Sequence, residues 1–260
     1  MPLPSMKDIE KTKIALKSGF KFSCHKGVKC FTQCCRKIDI MLTPFDIVRL
    51  KKRLNMTSSE FLDKYTQMDL DPKTSHPFAI LKMKDDEEKT CPFVTAEGCT
   101  IYADRPANCR YYPIGQGTLR KAAEQGPVNE EFYFFIREPY CLGYQEDKQW
   151  TVESWRADQG VDLCDEMNRE WREIQLRRDP TGKPLEPAKQ SQMYMASYDL
   201  DTFRKYVFES RFLDVFDIDA SELEQIRTDD VALMKLGLKY VKFLLMLEET
   251  LKVKEKYKKK

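Results

Sequence analysis

The chain has 260 residues, of which 42% are apolar and 33% are charged. This composition argues against a disordered chain, and the length allows one large domain or two modest ones that bury a core without disulfide bonds. The longest apolar stretch, residues 241–247, is interrupted by Lys242 and is too short to span a bilayer. We therefore expect no membrane-spanning segment.

The formal net charge is +2, but the last nine residues hold six lysines and one glutamate. The rest of the chain is slightly acidic. This argues against nucleic-acid binding, because neutralising phosphates requires clustered Lys and Arg. The N-terminal segment lacks the apolar core of a secretion signal. We therefore expect a cytoplasmic protein.

Residues 1–19 are predicted to form a short, mobile, partly helical lead-in, that is, an N-terminal segment before the first cysteine. Two helices with recognisable N-terminal capping residues follow further along the chain. Thr43 is a good N-cap, with Pro44 at the first helical position and Asp46 completing a capping box. The second helix is predicted to begin near Thr57 or Ser58. Both helices carry an apolar stripe and are therefore expected to pack on a core.

Short strand-like pieces, separated by charged or Gly- and Pro-containing segments, occupy the next part of the chain at residues 78–83, 91–94, 99–102 and 131–138. They predict a small, loop-rich β region. Thr151 is then expected to cap a helix that ends at Gly160, and a longer helix follows.

Residues 178–190 contain three prolines and a glycine and form the best linker candidate. They divide the chain into a predicted metal-binding domain at 20–177 and a C-terminal helical subdomain at 191–256. Helices are expected near 199–211, 221–227 and 230–256, including an aromatic-rich segment at 193–216 that is expected to pack in a core. The predicted fold class is α+β and mostly helical, with a small loop-rich β region that a cysteine-ligated metal site organises.

Nine cysteines in a chain expected to meet a reducing environment favour metal binding over disulfides. Glycine- and proline-rich turns allow several sulfurs to converge on one point and leave backbone N–H groups to donate to thiolates. Ordinary burial is a reasonable explanation for one or two cysteines but not for eight clustered around turns. The predicted metal ligands are Cys24, Cys30, Cys34, Cys35, Cys91, Cys99, Cys109 and Cys141.

Cys164 is left out of this set, because its helical spacing with Met167 and Trp171 predicts ordinary core packing. Thiolate ligands select against Mg²⁺ and Ca²⁺ and suit either zinc or an iron–sulfur cluster. No C-x2-C pair of the kind found in zinc ribbons occurs, and aromatic residues flank the cysteines. These two observations favour an iron–sulfur cluster over zinc.

Eight thiolates allow two four-cysteine sites, or one cluster with a second metal held by the remaining thiols. Cys34 and Cys35 are adjacent, so they either serve two neighbouring centres or one of them stays outside the ligand set. Either kind of site is anionic. Arg105, Arg110 and Arg36 are candidates to balance its charge, and pairing with surface carboxylates or loop carbonyls is the alternative.

Other chemistries find little support. His25 and His76 are the only histidines, which argues against His-rich metal sites and Ser-His-Asp hydrolases. We expect His25 to lie in an exposed loop and His76 in a turn. The four consecutive carboxylates at residues 85–88 predict a solvated hairpin tip rather than a cation site.

The cysteine pattern resembles the YkgJ-like cysteine-cluster family, whose CxxCxxCC domain is described as zinc- or iron-chelating. The resemblance covers about residues 20–170, although the first two gaps between cysteines are five and three residues instead of two and two. The segments that carry it are Phe22-x-Cys24, Cys30, Cys34-Cys35, Cys91-Pro92-Phe93, Cys99-Thr100-Ile101-Tyr102, Arg105-Pro106, Cys109-Arg110, Tyr112-Pro113, Cys141-x-Gly143 and the region from Thr151 to Gly160.

Three functional hypotheses remain open. The first is a metalloprotein whose cysteine-rich region, residues 20–145, binds an iron–sulfur cluster or zinc. The second follows from the resemblance, because flagellin lysine N-methylases carry a related region: an iron–sulfur enzyme that modifies protein side chains. The third is an interaction module whose closed zinc sites hold a protein-binding surface. A protein substrate or partner is thus possible under the last two hypotheses, and the sequence does not decide whether the protein is an enzyme.

Overall fold

The computed structural model describes residues 13–121, 128–177 and 183–257. Most of the predicted lead-in, five residues of the predicted linker (178–182) and the last three residues of the basic tail lie outside these ranges. The described chain forms two compact units, Met1–Ile38 with Met83–Asp165 and Asp39–Lys82 with Glu166–Lys260. Each unit is built from two separate segments. The predicted division into residues 20–177 and 191–256 stays a prediction.

The strands are short. They are β1 (Gly19–Lys21), β2 (Met41–Leu42), β3 (Thr66–Leu70), β4 (Pro77–Leu81), β5 (Val94–Thr95), β6 (Gly98–Cys99), β7 (Ile114–Lys121), β8 (Val128–Phe135), β9 (Gln149–Thr151), β10 (Phe216–Asp217) and β11 (Lys252–Val253).

The α-helices carry most of the regular structure. Those in the described residues are α1 (Pro44–Leu54), α2 (Ser58–Tyr65), α3 (Ala107–Tyr111), α4 (Val152–Gln159), α5 (Val161–Leu176), α6 (Pro187–Ser197), α7 (Leu200–Glu209), α8 (Phe212–Val215), α9 (Ala220–Ile226) and α10 (Asp230–Leu244). The prediction of a mostly helical α+β fold is confirmed.

The first unit contains three two-stranded antiparallel sheets, β1–β9, β5–β6 and β7–β8. The β7–β8 hairpin is the longest, with a register from Ile114 opposite Phe135 to Lys121 opposite Val128. Sheets this small have little stability of their own and need a packed face. They obtain it from an aromatic core made of Phe20, Phe22, Tyr111, Ile114, Tyr133, Val152, Trp155 and Val161.

The second unit begins with the two predicted helix starts, and both are confirmed. The Thr43 side chain accepts from the Asp46 N–H while Asp46 accepts from the Thr43 N–H, and Thr57 and Glu60 repeat this capping box at α2. Each box satisfies backbone donors that a helix start leaves unpaired. Helices α1 and α2 are therefore fixed locally, before any tertiary contact is considered.

A three-stranded antiparallel sheet in the order β2–β4–β3 lies in the second unit together with helices α1, α2 and α6 to α10. Helix α10 approaches α6 closely at Gly237, where a Cβ atom would collide with the Ala196 carbonyl. Tyr198, Phe203 and Met193 are fully buried. The predicted core role of the aromatic-rich segment therefore holds for these side chains.

The predicted end of the last helix is wrong. The last helix was expected to reach residue 256 but ends at Leu244, because the apolar repeat stops at Leu245 and Met246 adopts a left-handed conformation with φ 54°. Strand β11 then pairs with β10. At the predicted linker, Pro187 starts helix α6, since a proline is well suited to the first helical turn.

The length and hydropathy of the described helices decide whether any of them can cross a bilayer. None of them is both long enough and apolar enough to cross a membrane.

Candidate metal centre

The first four cysteines lie on a run of tight turns that follows β1. Backbone bonds from Val28 to His25 (3.0 Å), Phe31 to Val28 (2.8 Å) and Gln33 to Cys30 (3.0 Å) fold the chain back on itself repeatedly. Cys34 and Cys35 then form a short 3₁₀ turn with Gln33, entered through a left-handed Thr32. Consecutive turns of this kind place several sulfurs within a small volume.

The later cysteines come from four different elements of the same unit. The Cys91 N–H donates to the Cys35 carbonyl over 2.8 Å, which joins the two cysteine-bearing segments directly. Cys99 lies in β6 opposite Val94, Cys109 lies in α3, and Cys141 follows a turn closed by its N–H to Glu138 (2.9 Å). No disulfide joins any of the nine cysteines.

Four of the thiols line one pocket. Cys24, Cys30, Cys34 and Cys141 surround it, and the remaining lining residues are Phe22, Tyr112, Tyr140 and Gly143. The Leu142 N–H donates to the Cys30 sulfur over 3.2 Å. A backbone N–H aimed at sulfur is the kind of bond that stabilises a thiolate ligand.

Gly143 allows the chain around Cys24 to approach the chain around Cys141. The Ser23 N–H donates to the Gly143 carbonyl over 3.0 Å, and a Cβ at position 143 would lie 2.6 Å from the Phe22 ring. A larger residue here would push the two segments apart. The Gly at the end of the Cys141-x-Gly143 pair therefore has a direct steric role in the pocket.

The sulfurs in the pocket influence one another electrostatically. Partial burial, together with the neighbouring Cys34, Cys30 and Cys141 thiols, raises the pKa of Cys24 to about 11. A hydrogen bond from Cys35 lowers the pKa of Cys34 to about 7, while donating this bond raises the pKa of Cys35. Thiolates crowded in this way repel each other unless a cation binds among them.

The other four thiols are linked pair by pair, Cys35 to Cys91 and to Cys109, and Cys91 to Cys99. Beside Cys34, the Cys91 and Cys109 thiols are close enough to raise the pKa of Cys35 by charge repulsion. Burial raises the pKa of Cys91, and Cys99 adds to the shift. Cys35 is thus the point at which the first cysteine segment meets the second.

The predicted cations have different surroundings. Arg105 is buried and stacks on the Tyr102 ring with Cζ 3.9 Å from its centroid. Burial raises the pKa of Cys99, and the Arg105 charge opposes this shift. Arg110 is also buried but donates to the Arg105, Gln159 and Ala103 carbonyls. Arg36 is exposed and lies 3.8 Å from Glu88. A cofactor-binding role for Arg105 and Arg110 stays a prediction.

The residues set aside in the sequence lie where expected, with one exception. His25 is exposed and 3.1 Å from Glu146, Cys164 is buried, and the carboxylates at 85–88 form an exposed turn. His76, expected in a turn, is instead 4% exposed, and its Nδ1 finds no hydrogen-bond partner among the described groups. The proline that follows it begins β4, which carries the histidine into the core.

The sulfurs are gathered but have not closed into a coordination shell. Across residues 13–121, 128–177 and 183–257, no three His, Cys, Asp or Glu side chains are arranged to hold a metal ion. The surroundings nevertheless fit a thiolate-bound metal. The donors in the pocket are all sulfur, and the buried Tyr112 hydroxyl beside Cys141 finds no oxygen or nitrogen partner among described groups.

Two contributors to the pocket were not predicted from the sequence. Tyr140 and the Leu142 N–H flank Cys141, so their proximity to a candidate ligand was the only available signal. Which way either residue faces depends on the turn at 138–145, and no periodic pattern marks such a turn.

The chain was compared with known families, curated proteins and solved structures. No curated protein and no solved structure matches it. Residues 23–142, which span all eight candidate ligands, match one family model. That model is the CxxCxxCC domain, described as a putative zinc- or iron-chelating domain.

Proposed function

We propose that this protein binds iron as an iron–sulfur cluster through the cysteines of its CxxCxxCC domain. The observation that carries the proposal is the pocket lined by Cys24, Cys30, Cys34 and Cys141. Four thiolates are the usual ligand set of such clusters. A bound cluster would supply one-electron redox chemistry.

The surroundings of the pocket favour a cluster over a zinc ion. Sulfurs of clusters accept backbone hydrogen bonds, and the Leu142 N–H already points at Cys30. Phe22 packs against Tyr112 and Tyr144 beside the thiols, with ring centroids 6.1 Å and 5.3 Å apart. These rings would shield a cluster from water, and no C-x2-C pair typical of zinc ribbons is present.

The chain's own groups would prepare the pocket for the metal. Deprotonated thiols are the ligands, so metal binding would release protons, including the one on Cys24, whose pKa is raised to about 11. The Tyr112 hydroxyl beside Cys141 would donate to that sulfur once it is a thiolate. Both effects depend on the sulfurs moving the remaining distance to a common metal.

The test is anaerobic purification of the full chain, followed by iron, zinc and acid-labile sulfide analysis and an absorption spectrum. We expect iron with matching sulfide and visible sulfur-to-iron absorption. A colourless protein that carries zinc without sulfide would overturn the iron–sulfur assignment.

A pair of substitutions makes the ligand assignment testable as well. Cys30→Ser should lower the iron and sulfide content, since it removes a donor from the pocket. Cys164→Ser is the matched control, because its thiol is buried outside the pocket and its loss should leave the iron count unchanged. Equal iron loss in both variants would contradict the assignment.

A further inference from the structure

Four of the eight candidate ligands line the pocket, and the other four do not. We define the pocket set as Cys24, Cys30, Cys34 and Cys141, and the hairpin set as Cys35, Cys91, Cys99 and Cys109. The separation does not follow the chain. Each set takes cysteines from both the first and the second cysteine-bearing segment, and the adjacent residues Cys34 and Cys35 belong to different sets.

Two hydrogen bonds between distant segments hold the pocket set together. The Ser23 N–H to Gly143 carbonyl bond places Cys24 near Cys141, and the Leu142 N–H to Cys30 sulfur bond places the turn after β1 on the same loop. Cys34 completes the pocket lining. None of the hairpin-set residues lines this pocket.

The hairpin set is organised around the β5–β6 hairpin. The Cys91 N–H donates to the Cys35 carbonyl, and the Arg36–Thr90 bridge extends this antiparallel contact by one residue on each side. The hairpin then returns the chain from Val94 to Cys99. The chain at Cys91 therefore contacts the chain at Cys35, and the Cys91 thiol lies near the Cys99 thiol.

A ring contact fixes the hairpin against the first cysteine segment. Gly98, with φ 115°, lies so close to Phe31 that a Cβ would be 3.2 Å from the ring Cζ. Phe31 lies between Cys30 and Cys34, and Gly98 directly precedes Cys99. This packing therefore places Cys99, of the hairpin set, near the turns that carry Cys30 and Cys34 of the pocket set.

The hairpin set also has cations beside it. Arg105 lies close enough to Cys99 for its positive charge to favour the thiolate, and Lys84 does the same for Cys91. A divalent metal with four thiolates carries a net charge of about −2, which nearby cations stabilise. Arg105 is buried, so its charge is poorly screened by solvent.

From this arrangement we propose that the domain holds two separate four-thiolate metal centres, one in the pocket set and one in the hairpin set, joined through the adjacent residues Cys34 and Cys35. This inference rests on the proposed metal-binding function but not on the identity of the metal. In a 3₁₀ turn successive side chains point about 120° apart, which allows adjacent residues to serve different centres. The adjacent pair would keep the two metals close together.

The test counts metal sites with cobalt(II) as the probe. The full chain is stripped of metal anaerobically and titrated with Co²⁺, and sulfur-to-cobalt absorption is followed to its end point. We expect two equivalents for the unsubstituted chain. Cys24→Ser, in the pocket set, and Cys99→Ser, in the hairpin set, should each bind one equivalent, and the double variant should bind none.

The outcomes separate the two proposals. An unsubstituted chain that binds one equivalent, or single variants that each lose all cobalt, would overturn the two-centre arrangement while leaving metal binding intact. A chain that binds no cobalt and contains no metal when purified would overturn the proposed function itself. Cys30→Ser and Cys109→Ser repeat the comparison if a first variant does not fold, and Cys164→Ser, which should still bind two equivalents, is the control.

Discussion

The two units of this chain reach stability by different means. The second unit has long helices, two capping boxes and fully buried aliphatic and aromatic side chains, and it contains no cysteine. The first unit has short strands, short helices and connecting turns, and it contains all nine cysteines. A unit with so little regular structure gains the most from a cross-link, which the proposed metal would supply in place of a disulfide.

The second unit contains a network of salt bridges that joins its helices. Lys51, with 8% of its side chain exposed, lies 2.8 Å from Asp201 and 3.0 Å from Asp230, and Arg204 contacts the same two carboxylates. The Ser58 N–H donates to Asp201 as well. This network joins α1, α2, α7 and α10 without any metal.

Loss of a metal ligand should therefore have the largest effect, and it should fall on the first unit. Cys91→Ser removes a thiolate from the hairpin set, and metal binding at such sites contributes on the order of 10 kcal/mol to folding. We expect reduced metal content and loss of amide protection at residues 83–121, measured by hydrogen exchange. Protection of Leu200–Glu209 and Asp230–Leu244 should persist.

Cys164→Ser is the control for this variant, because its thiol is buried in the same unit but outside both sets. The comparison between the units would fail if Cys91→Ser unprotected the helices of the second unit to the same extent as the hairpin.

Breaking the ionic network should have the next largest effect, and it should fall on the second unit. Lys51→Ala leaves two carboxylates partly buried without their shared cation, a change that costs about 3–5 kcal/mol. We expect a lower denaturation midpoint for the second unit with an unchanged metal count. Lys52→Ala, at the exposed neighbouring position, should change neither quantity.

Unchanged stability in Lys51→Ala would mean that Arg204 alone compensates both carboxylates. Loss of metal in this variant would instead contradict the independence of the two units, since none of the network residues lies in the first unit.

Acidification should have the smallest effect, through His76 in the second unit. Burial lowers the pKa of His76 from 6.5, although Asp71 opposes the shift. The unfolded chain therefore takes up the proton first, so the stability that neutral His76 provides is present above pH 6.5 and is lost as pH falls through the lowered pKa. The loss is at most about 1.4 kcal/mol per pH unit.

The measurement is the free energy of unfolding of the second unit between pH 7.5 and pH 5, in the unsubstituted chain and in His76→Gln. The variant should show a shallower decline with falling pH. His25→Gln is the control, because its exposed ring should leave the slope unchanged. A slope that is identical in all three proteins would remove His76 as the cause.

The sequence allowed prediction of features that adjacent residues decide. The capping box at Thr43, the helix start near Thr57 and the helix from Thr151 to Gly160 involve neighbours within a few positions, and all of them are confirmed. The burial of Cys164 followed from its helical spacing in the same way.

Features that depend on distant segments were not accessible. The pairing of β1 with β9 joins residues about 130 positions apart, and neither strand is long enough to show a period. The division of Cys34 and Cys35 between two sets depends on which segment each one meets, namely Cys141 or Cys91. The expected extension of the last helix failed because Lys252–Val253 finds a strand partner at Phe216–Asp217.

The interleaving of the two units has a practical consequence for trimming the gene. Residues 39–82 leave the cysteine-bearing unit and return to it at neighbouring points, since the Lys37 N–H donates to the Lys89 carbonyl over 3.1 Å and the Leu81 N–H donates to the Ile40 carbonyl over 2.9 Å. The stretch therefore behaves as an insertion. A tight turn in its place, with a stop after residue 165, gives a shorter polypeptide that keeps all eight candidate ligands and the rest of their unit.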